Sequence, residues 1–314
     1  MNGESLPPGS RPLVRKISAS SGSRRADSLA SRQRKTLIVC PSNNPPAWLT
    51  EQLIDIAERF ACVRKQGRVL ARWCPPGEAH AVYLKCQSRF RWMRRLLAAV
   101  HPKGFWTPAL TELRNLVIAQ RAGIDVPEPI GAIQRVGPRT RLAGVLAIRE
   151  LAGHEPLHEA LFRASERLPR KDYEPVLRNV LTAIAAVAAR LHGAHLFHRD
   201  FYLCHFFVQP QMLFPQRDEP PALVLIDFHR LVRSRALRIR SAAKDLGQLL
   251  YSLREIRAPA WATDYVLERY LQHAGVSRMP GRLLCALAKA KADRYWQHNL
   301  HRGTIWHPEH ASAA

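Results

Sequence analysis

Four groups of residues in this 314-residue chain have the types and the order that phosphoryl transfer needs. Lys85 closes the apolar run Val82-Tyr83-Leu84-Lys85, and Glu112 lies on the next well-formed helical stretch. His198-Arg199-Asp200 follows a long apolar helix directly, and Asp227 ends the run Leu223-Val224-Leu225-Ile226. A lysine on a strand can contact the α- and β-phosphates of a nucleotide, but its flexible stem needs an anchoring carboxylate, the part open to Glu112. A loop aspartate beside the γ-phosphate can orient an acceptor hydroxyl and take its proton. A second aspartate, at a strand end, can bind the Mg²⁺ that bridges phosphate oxygens. Taken singly, each residue also has an ordinary reading. Lys85 is then a solvated strand end, Glu112 a partner for Arg114, and Asp227 the cap of a turn. The joint order gives them chemical meaning.

The elements that must position these groups can be read from periodicity. Phe60–Lys65, Val69–Trp73 and Ala79–Lys85, separated by Gly67 and a Pro-Pro-Gly turn, predict a three-strand meander. Arg89–Val100 predicts a basic helix and Thr111–Gly123 a second one closed by its glycine. Ile130–Val136 and Ala143–Glu150 predict two further strands. Beyond them the pattern turns helical at 158–163, at 176–192 and from Lys244 onward, with a small hairpin of 206–208 and 223–226 between. Residues 1–46, rich in Ser, Pro and Arg, predict a flexible basic tail carrying eight basic and two acidic residues through Lys35. Ordered chain is then expected from Trp48-Leu49. This divides the protein into the tail, an N-lobe over 47–150 and a C-lobe over 151–314.

Lysine, helix carboxylate, HRD and strand-end aspartate are the protein-kinase parts in the protein-kinase order. A narrower resemblance rests on four strings. These are His198-Arg-Asp-Phe-Tyr-Leu-Cys-His-Phe206, Leu225-Ile-Asp-Phe-His-Arg230, Gly123-Ile-Asp-Val-Pro-Glu-Pro129 and Lys244-Asp-Leu-Gly-Gln-Leu-Leu-Tyr-Ser252. Together they resemble the lipopolysaccharide core heptose kinases of the Kdo/WaaP family over roughly residues 57–255. The resemblance implies an α+β, two-lobed, protein-kinase-like fold, with a small antiparallel-sheet N-lobe carrying one main helix and a mostly helical C-lobe. It also implies ATP- and Mg²⁺-dependent phosphorylation of a sugar hydroxyl in a bacterial glycolipid core. Carried over by position, Lys85 and Glu112 serve the nucleotide, Asp200 is the base and Asp227 the metal ligand. Asp245 is expected to organise the catalytic loop from below.

Several positions depart from kinases in general. The second metal ligand, normally Asn five residues after the base, is His205, which the Kdo/WaaP strings share; imidazole is a poorer Mg²⁺ ligand than oxygen. No glycine-rich string covers the phosphates, so Gly67 is the turn whose backbone amides are expected to approach them. The DFG glycine is replaced by His229, which predicts no activation flip. Only 18 positions separate Asp227 from Asp245, leaving little room for a peptide-binding platform. That short stretch holds Arg230, Arg233 and Arg235, suited to phosphate and carboxylate groups of an acceptor, followed by Arg238, Arg240 and Lys244.

With 48 Lys+Arg against 25 Asp+Glu, the net charge of +23 admits nucleic acid, an anionic membrane or an anionic substrate. No nucleic-acid motif is present, so no nucleic-acid partner is expected. An anionic glycolipid acceptor is expected instead, with peripheral contact at the cytoplasmic face of the inner membrane, where Arg89, Arg91, Trp92, Arg94 and Arg95 can rest. Six scattered cysteines without CxxC spacing predict reduced thiols in the cytoplasm, and the start of the chain lacks the apolar stretch of a secretory signal. Three alternatives stay open at this point. One is a small-molecule kinase of the aminoglycoside or choline type, the others a catalytically silent kinase-like module and a basic nucleic-acid binder.

Overall fold

The computed structural model describes residues 35–42, 44–65, 67–101, 104–137, 141–213, 219–236, 238–303 and 305. It separates into two compact units. One runs to Val117 and resumes over Glu128–Glu150; the other comprises Ile118–Pro127 and the chain from Leu151.

The first unit is built on a six-stranded antiparallel sheet: β1 (Lys35–Val39), β2 (Ala61–Lys65), β3 (Arg68–Trp73), β4 (Val82–Gln87), β5 (Pro129–Val136) and β6 (Leu142–Arg149), in the order β1-β5-β6-β4-β3-β2. Strand side chains alternate between faces. In β4 this buries Val82, Leu84 and Cys86 and puts Lys85 on the opposite face. Helix α1 (Leu53–Arg59) covers the buried face, where Leu53, Ile54 and Ala57 join Val69, Ala71, Leu84, Ile133 and Val145 in one core. Next come α2 (Trp92–Val100) and α3 (Pro108–Arg121). The α3 end is tied to β5 by buried Gln134, whose Oε1 accepts from the amides of Trp106 and Thr107 at 3.0 and 3.1 Å.

β1 corrects one expectation. Ordered chain was expected from Trp48, with 1–46 as a tail, yet Lys35–Val39 pairs along its whole length with β5, from Lys35↔Val136 to Val39↔Ala132. An apolar run of three residues beside a Ser- and Arg-rich segment looks like linker, because its hydrogen-bonding partner lies far along the chain. Residues 1–34 of that expected tail lie outside the described residues.

The second unit holds β7 (Glu155–Pro156), α4 (Leu157–Arg167), α5 (Arg170–Gly193), β8 (Leu196–Phe197), β9 (Phe206–Val208), β10 (Val224–Leu225), β11 (Val232–Arg233), α6 (Arg238–Glu255), α7 (Trp261–Ala274) and α8 (Arg278–Arg302). Helix α5 packs on α7 and α6 on α8. The stripe Leu177, Val180, Leu181, Ile184, Ala188 and Leu191 of α5 is buried, as its 3.6-residue period requires. Helices α5 and α6 each begin six residues before the expected start. The added turns hold one large apolar residue each, Tyr173 and Ile239, among polar, basic and small ones, so their apolar period is faint. Small-sheet and helix-rich parts together make a protein-kinase-like α+β fold.

Candidate active site

The catalytic-loop candidate leaves α5 at Gly193, crosses β8 and turns sharply at Arg199, whose φ is +70°. A non-glycine residue in the left-handed region costs energy and persists only where its surroundings hold it. Here α6 does the holding. Fully buried Asp245 accepts from the amides of His198 (Oδ2) and Arg199 (Oδ1), both at 2.8 Å. Lys244 Nζ and Gln248 Nε2 donate to the Arg199 carbonyl at 2.8 and 2.9 Å. One turn along, Gln248 Oε1 accepts from the Phe201 amide at 3.1 Å, and Ser252 Oγ accepts from the Leu203 amide at 3.2 Å. Asp245, Gln248 and Ser252 thus read four backbone amides of the loop from one helix face. The expectation for Asp245 from the sequence matches this geometry. Gln248 and Ser252 were not singled out, although buried polar residues at i, i+3 and i+7 of an apolar helix are the signal that finds them.

The loop's aromatic residues complete the anchorage. Phe197, Phe201 and Phe206 are fully buried, and His192, hydrogen-bonded to Tyr270, stacks on Phe197. His198 is fully buried; its Nε2 donates to the Ile226 carbonyl at 3.0 Å and its ring lies edge-on to Phe228. Burial pulls its pKa down to about 4, so it stays a neutral structural donor.

Asp200, fixed between these anchors, is buried, and its Oδ1 accepts from Arg230 Nη1 at 2.7 Å. The hairpin β9–β10 delivers the next two candidates. The register Phe206↔Leu225 and the bond from Ile226 N to His205 O set His205 beside the start of the Asp227 turn. Asp227 itself has φ +65°, a conformation aspartate tolerates better than most residues. Its Oδ1 accepts from His229 Nδ1 at 2.7 Å, and its Oδ2 lies 3.8 Å from His205 Nε2. His205 Nδ1 is 2.6 Å from the Asp200 carbonyl oxygen. A nitrogen facing a carbonyl must be the donor, so the neutral ring keeps its proton on Nδ1 and turns the Nε2 lone pair to the Asp227 side. His205 Nδ1 is thus tied to the backbone of Asp200, and its Nε2 lone pair lies beside the Asp227 carboxylate, an arrangement suited to a shared cation.

On the sheet unit, Lys85 Nζ donates to Glu112 Oε1 at 2.7 Å. Glu112 is almost wholly buried in α3, while Lys85 is part-exposed, so the carboxylate is the fixed partner. Glu112 pairs with Lys85 and not with Arg114, which is exposed. Gly67 forms the β2–β3 turn at φ +78°, three residues before Leu70, the register partner of Lys85. The stem of Arg89 crosses it so closely that a Cβ there would meet Arg89 Cγ at 2.5 Å.

The three arginines do different things. Arg230 touches the Asp200 carboxylate. Exposed Arg233 and Arg235 act on His195, where burial first and then the charges of Arg238, Arg235 and Arg233 lower the imidazole pKa. Arg235 also lines a cavity with Phe197, Tyr270, Leu283 and Leu284.

The donor set fits Mg²⁺ of the substrate-bound kind. Such ions take one or two protein ligands and complete their shell with phosphate oxygens and water. Asp227 with His205 is a set of that size, and among the described residues no cluster of three or more His, Cys, Asp or Glu forms a full cage.

Comparison with known proteins places these residues in a family. The lipopolysaccharide kinase (Kdo/WaaP) family matches residues 100–270, a stretch containing Glu112, Asp200, His205, Asp227, Arg230 and Asp245. The lipopolysaccharide core heptose(I) kinase WaaP of Pseudomonas aeruginosa is 29% identical over 161 residues, covering 46% of this chain and 58% of that protein. The match thus spans less than two thirds of the relative's length. A solved structure of WaaP in complex with acyl carrier protein superposes with a TM-score of 0.56 at 22% identity, over 77% of this chain and 92% of that one, and shows the shared fold. With its family match over more than half the sequence, and the HRD loop, His205 and Asp227 inside it, the chain belongs to the lipopolysaccharide kinase (Kdo/WaaP) family.

Proposed function

We propose that the protein is an ATP-dependent kinase that phosphorylates a sugar hydroxyl, a heptose, in the lipopolysaccharide inner core at the cytoplasmic face of the inner membrane. The observation that carries this reading is the locked loop, which sets Asp200, His205 and Asp227 on one edge of the helical unit. Family membership and the name of the Pseudomonas aeruginosa relative supply the acceptor class. Residues 47–150 serve the nucleotide, and residues 151–314 carry the base and the acceptor site.

Each residue then has a physical task. Lys85, steadied by Glu112, holds the α/β-phosphates of ATP as a point charge, and the Gly67 turn offers backbone amides. Asp227 and His205 would hold Mg²⁺. When bound, that ion neutralises charge on the β- and γ-phosphate oxygens. Asp200 orients the acceptor hydroxyl and takes its proton as the oxygen forms its bond to the γ-phosphorus. Arg230 Nη1 donates to Asp200 Oδ1 and sets a positive charge beside the base. A guanidinium at that position attracts an acceptor bearing phosphate or carboxylate and repels an aminoglycoside- or choline-like cation. Arg233 and Arg235 extend the same positive field.

The test is transfer of radiolabel from ATP to purified core glycolipid, acylated and deacylated. Asp200→Asn should lower kcat by about 10²–10⁴ while leaving the thermal midpoint within a few degrees. Full activity in that variant would remove Asp200 as the base. Label appearing on amines or on protein and not on core sugar would overturn the acceptor.

A further inference from the structure

Helix α2 inverts the usual arrangement of an amphipathic surface helix. Its small residues face the protein: Ala98 is fully buried against Val136 and Leu142, with Ala99 half-buried beside it. Its large apolar residues face outward. Trp92 is 69% exposed, Met93 59%, Leu96 and Leu97 49% each, and Val100 78%. At 100° per residue these five side chains fall within an arc of about 140°. A helix docked through alanines has no packing reason to carry five large apolar side chains on its outer face. Contiguous exposed apolar surface of this kind marks an interaction site.

The charge around that face indicates what covers it. Arg89, Arg91 and Arg94 are exposed, and no acidic residue occurs between Glu78 and Glu112. Nine residues make a helix about 13 Å long, far short of a span but of a length to lie in an interface. Among the described residues no helix is long and apolar enough to cross a membrane. The outer face offers no hydrogen-bonding group besides the Trp92 indole, whereas a protein groove is rimmed by polar pairs. Tryptophan with flanking arginines, whose stems lie along apolar surface while their heads stay wet, suits the headgroup boundary of a bilayer.

We infer that α2 is an in-plane membrane anchor. Trp92, Met93, Leu96, Leu97 and Val100 insert into the acyl boundary of an anionic bilayer, and Arg89, Arg91 and Arg94 engage its phosphate headgroups. The inference rests on the membrane-face part of the proposed function and does not need the catalytic assignment. It gives a location to a charge that composition left spread over the whole chain.

The full chain should be sedimented with vesicles of pure phosphatidylcholine and with vesicles carrying about 30% phosphatidylglycerol. Binding to the anionic vesicles should be at least tenfold tighter and should weaken with salt, since each arginine near such a surface is worth about fivefold. Leu96→Ser/Leu97→Ser should lose at least tenfold in vesicle binding with an unchanged melting temperature, because both side chains are outside the core. The same variant should keep wild-type phosphorylation of a deacylated, soluble acceptor without vesicles, an assay that reports on the kinase reading alone. Undiminished vesicle binding by that variant would assign attachment to another basic segment and overturn the proposal. Equal binding to both vesicle types would overturn it too, as would no vesicle binding together with tight capture of an acidic protein through α2.

Discussion

Asp200 and Lys85 each have an oppositely charged neighbour at 2.7 Å, and in both pairs the buried carboxylate is the fixed member. Glu112 is buried and Lys85 reaches it from a strand, so Glu112 acts through the lysine. A double-mutant cycle should show this. Lys85→Ala should weaken ATP binding measured by calorimetry by about tenfold, in line with a charge-assisted contact worth about 1.5–3 kcal/mol. Glu112→Gln should weaken it less, and Lys85→Ala/Glu112→Gln no more than Lys85→Ala alone. Additive losses would mean that Glu112 serves the nucleotide by another route. Arg230 on Asp200 follows the same pattern, an exposed cation on a buried carboxylate that supplies the fixed position.

At the scale of the element, α6 is the part on which the site depends most. Its face of Asp245, Gln248 and Ser252 satisfies the amides of residues 198, 199, 201 and 203, which the left-handed turn at Arg199 withdraws from regular secondary structure. Buried amides left without an acceptor cost about 1–3 kcal/mol each. Asp245→Ala strips the charged acceptor from two of them and should lower unfolding stability by roughly 3 kcal/mol in urea titrations. It should also lower kcat although Asp200 is intact. Gln248→Ala, which removes neutral bonds, should cost about half as much. A destabilised Asp245→Ala enzyme with undiminished kcat would show that the loop keeps its shape without α6. The hairpin β9–β10 is the second element that matters, since its register alone brings His205 to Asp227.

For the whole molecule, the buried histidines set a direction of pH dependence. Burial lowers His198 and His158 to about 4, below their ordinary value near 6.5. Between those limits the unfolded chain takes up protons that the folded chain refuses, so stability falls as pH drops from about 6.5 towards 4. Each such histidine contributes a slope of about 1.4 kcal/mol per pH unit. Urea midpoints measured across that range should therefore decline with acid, and His158→Leu should make the decline shallower. An unchanged slope in that variant would mean that His158 titrates alike in both states. The net charge of +23 acts at the same scale, and α2 gives part of it a defined place on the surface.

Much of this protein is legible from local pattern. The run Ala79–Lys85 read as a strand ending on the lysine, apolar period placed α5, and the HRD string with its neighbours named the family, because these signals involve residues close in sequence. Gly67 and the arginines after Asp227 were legible as residue types, while their neighbours were not. That Arg89 lies across Gly67, that Arg230 sits on Asp200 while the charges of Arg233 and Arg235 bear on His195, and that Lys35–Val39 is a strand all depend on pairings between distant segments. The outward face of α2 is the clearest case. Its sequence predicts a basic helix and leaves open which side it buries, and only packing of Ala98 against Val136 and Leu142 decides that the large side chains face out. Periodicity specifies that a helix has an apolar face; the tertiary contacts decide what that face meets.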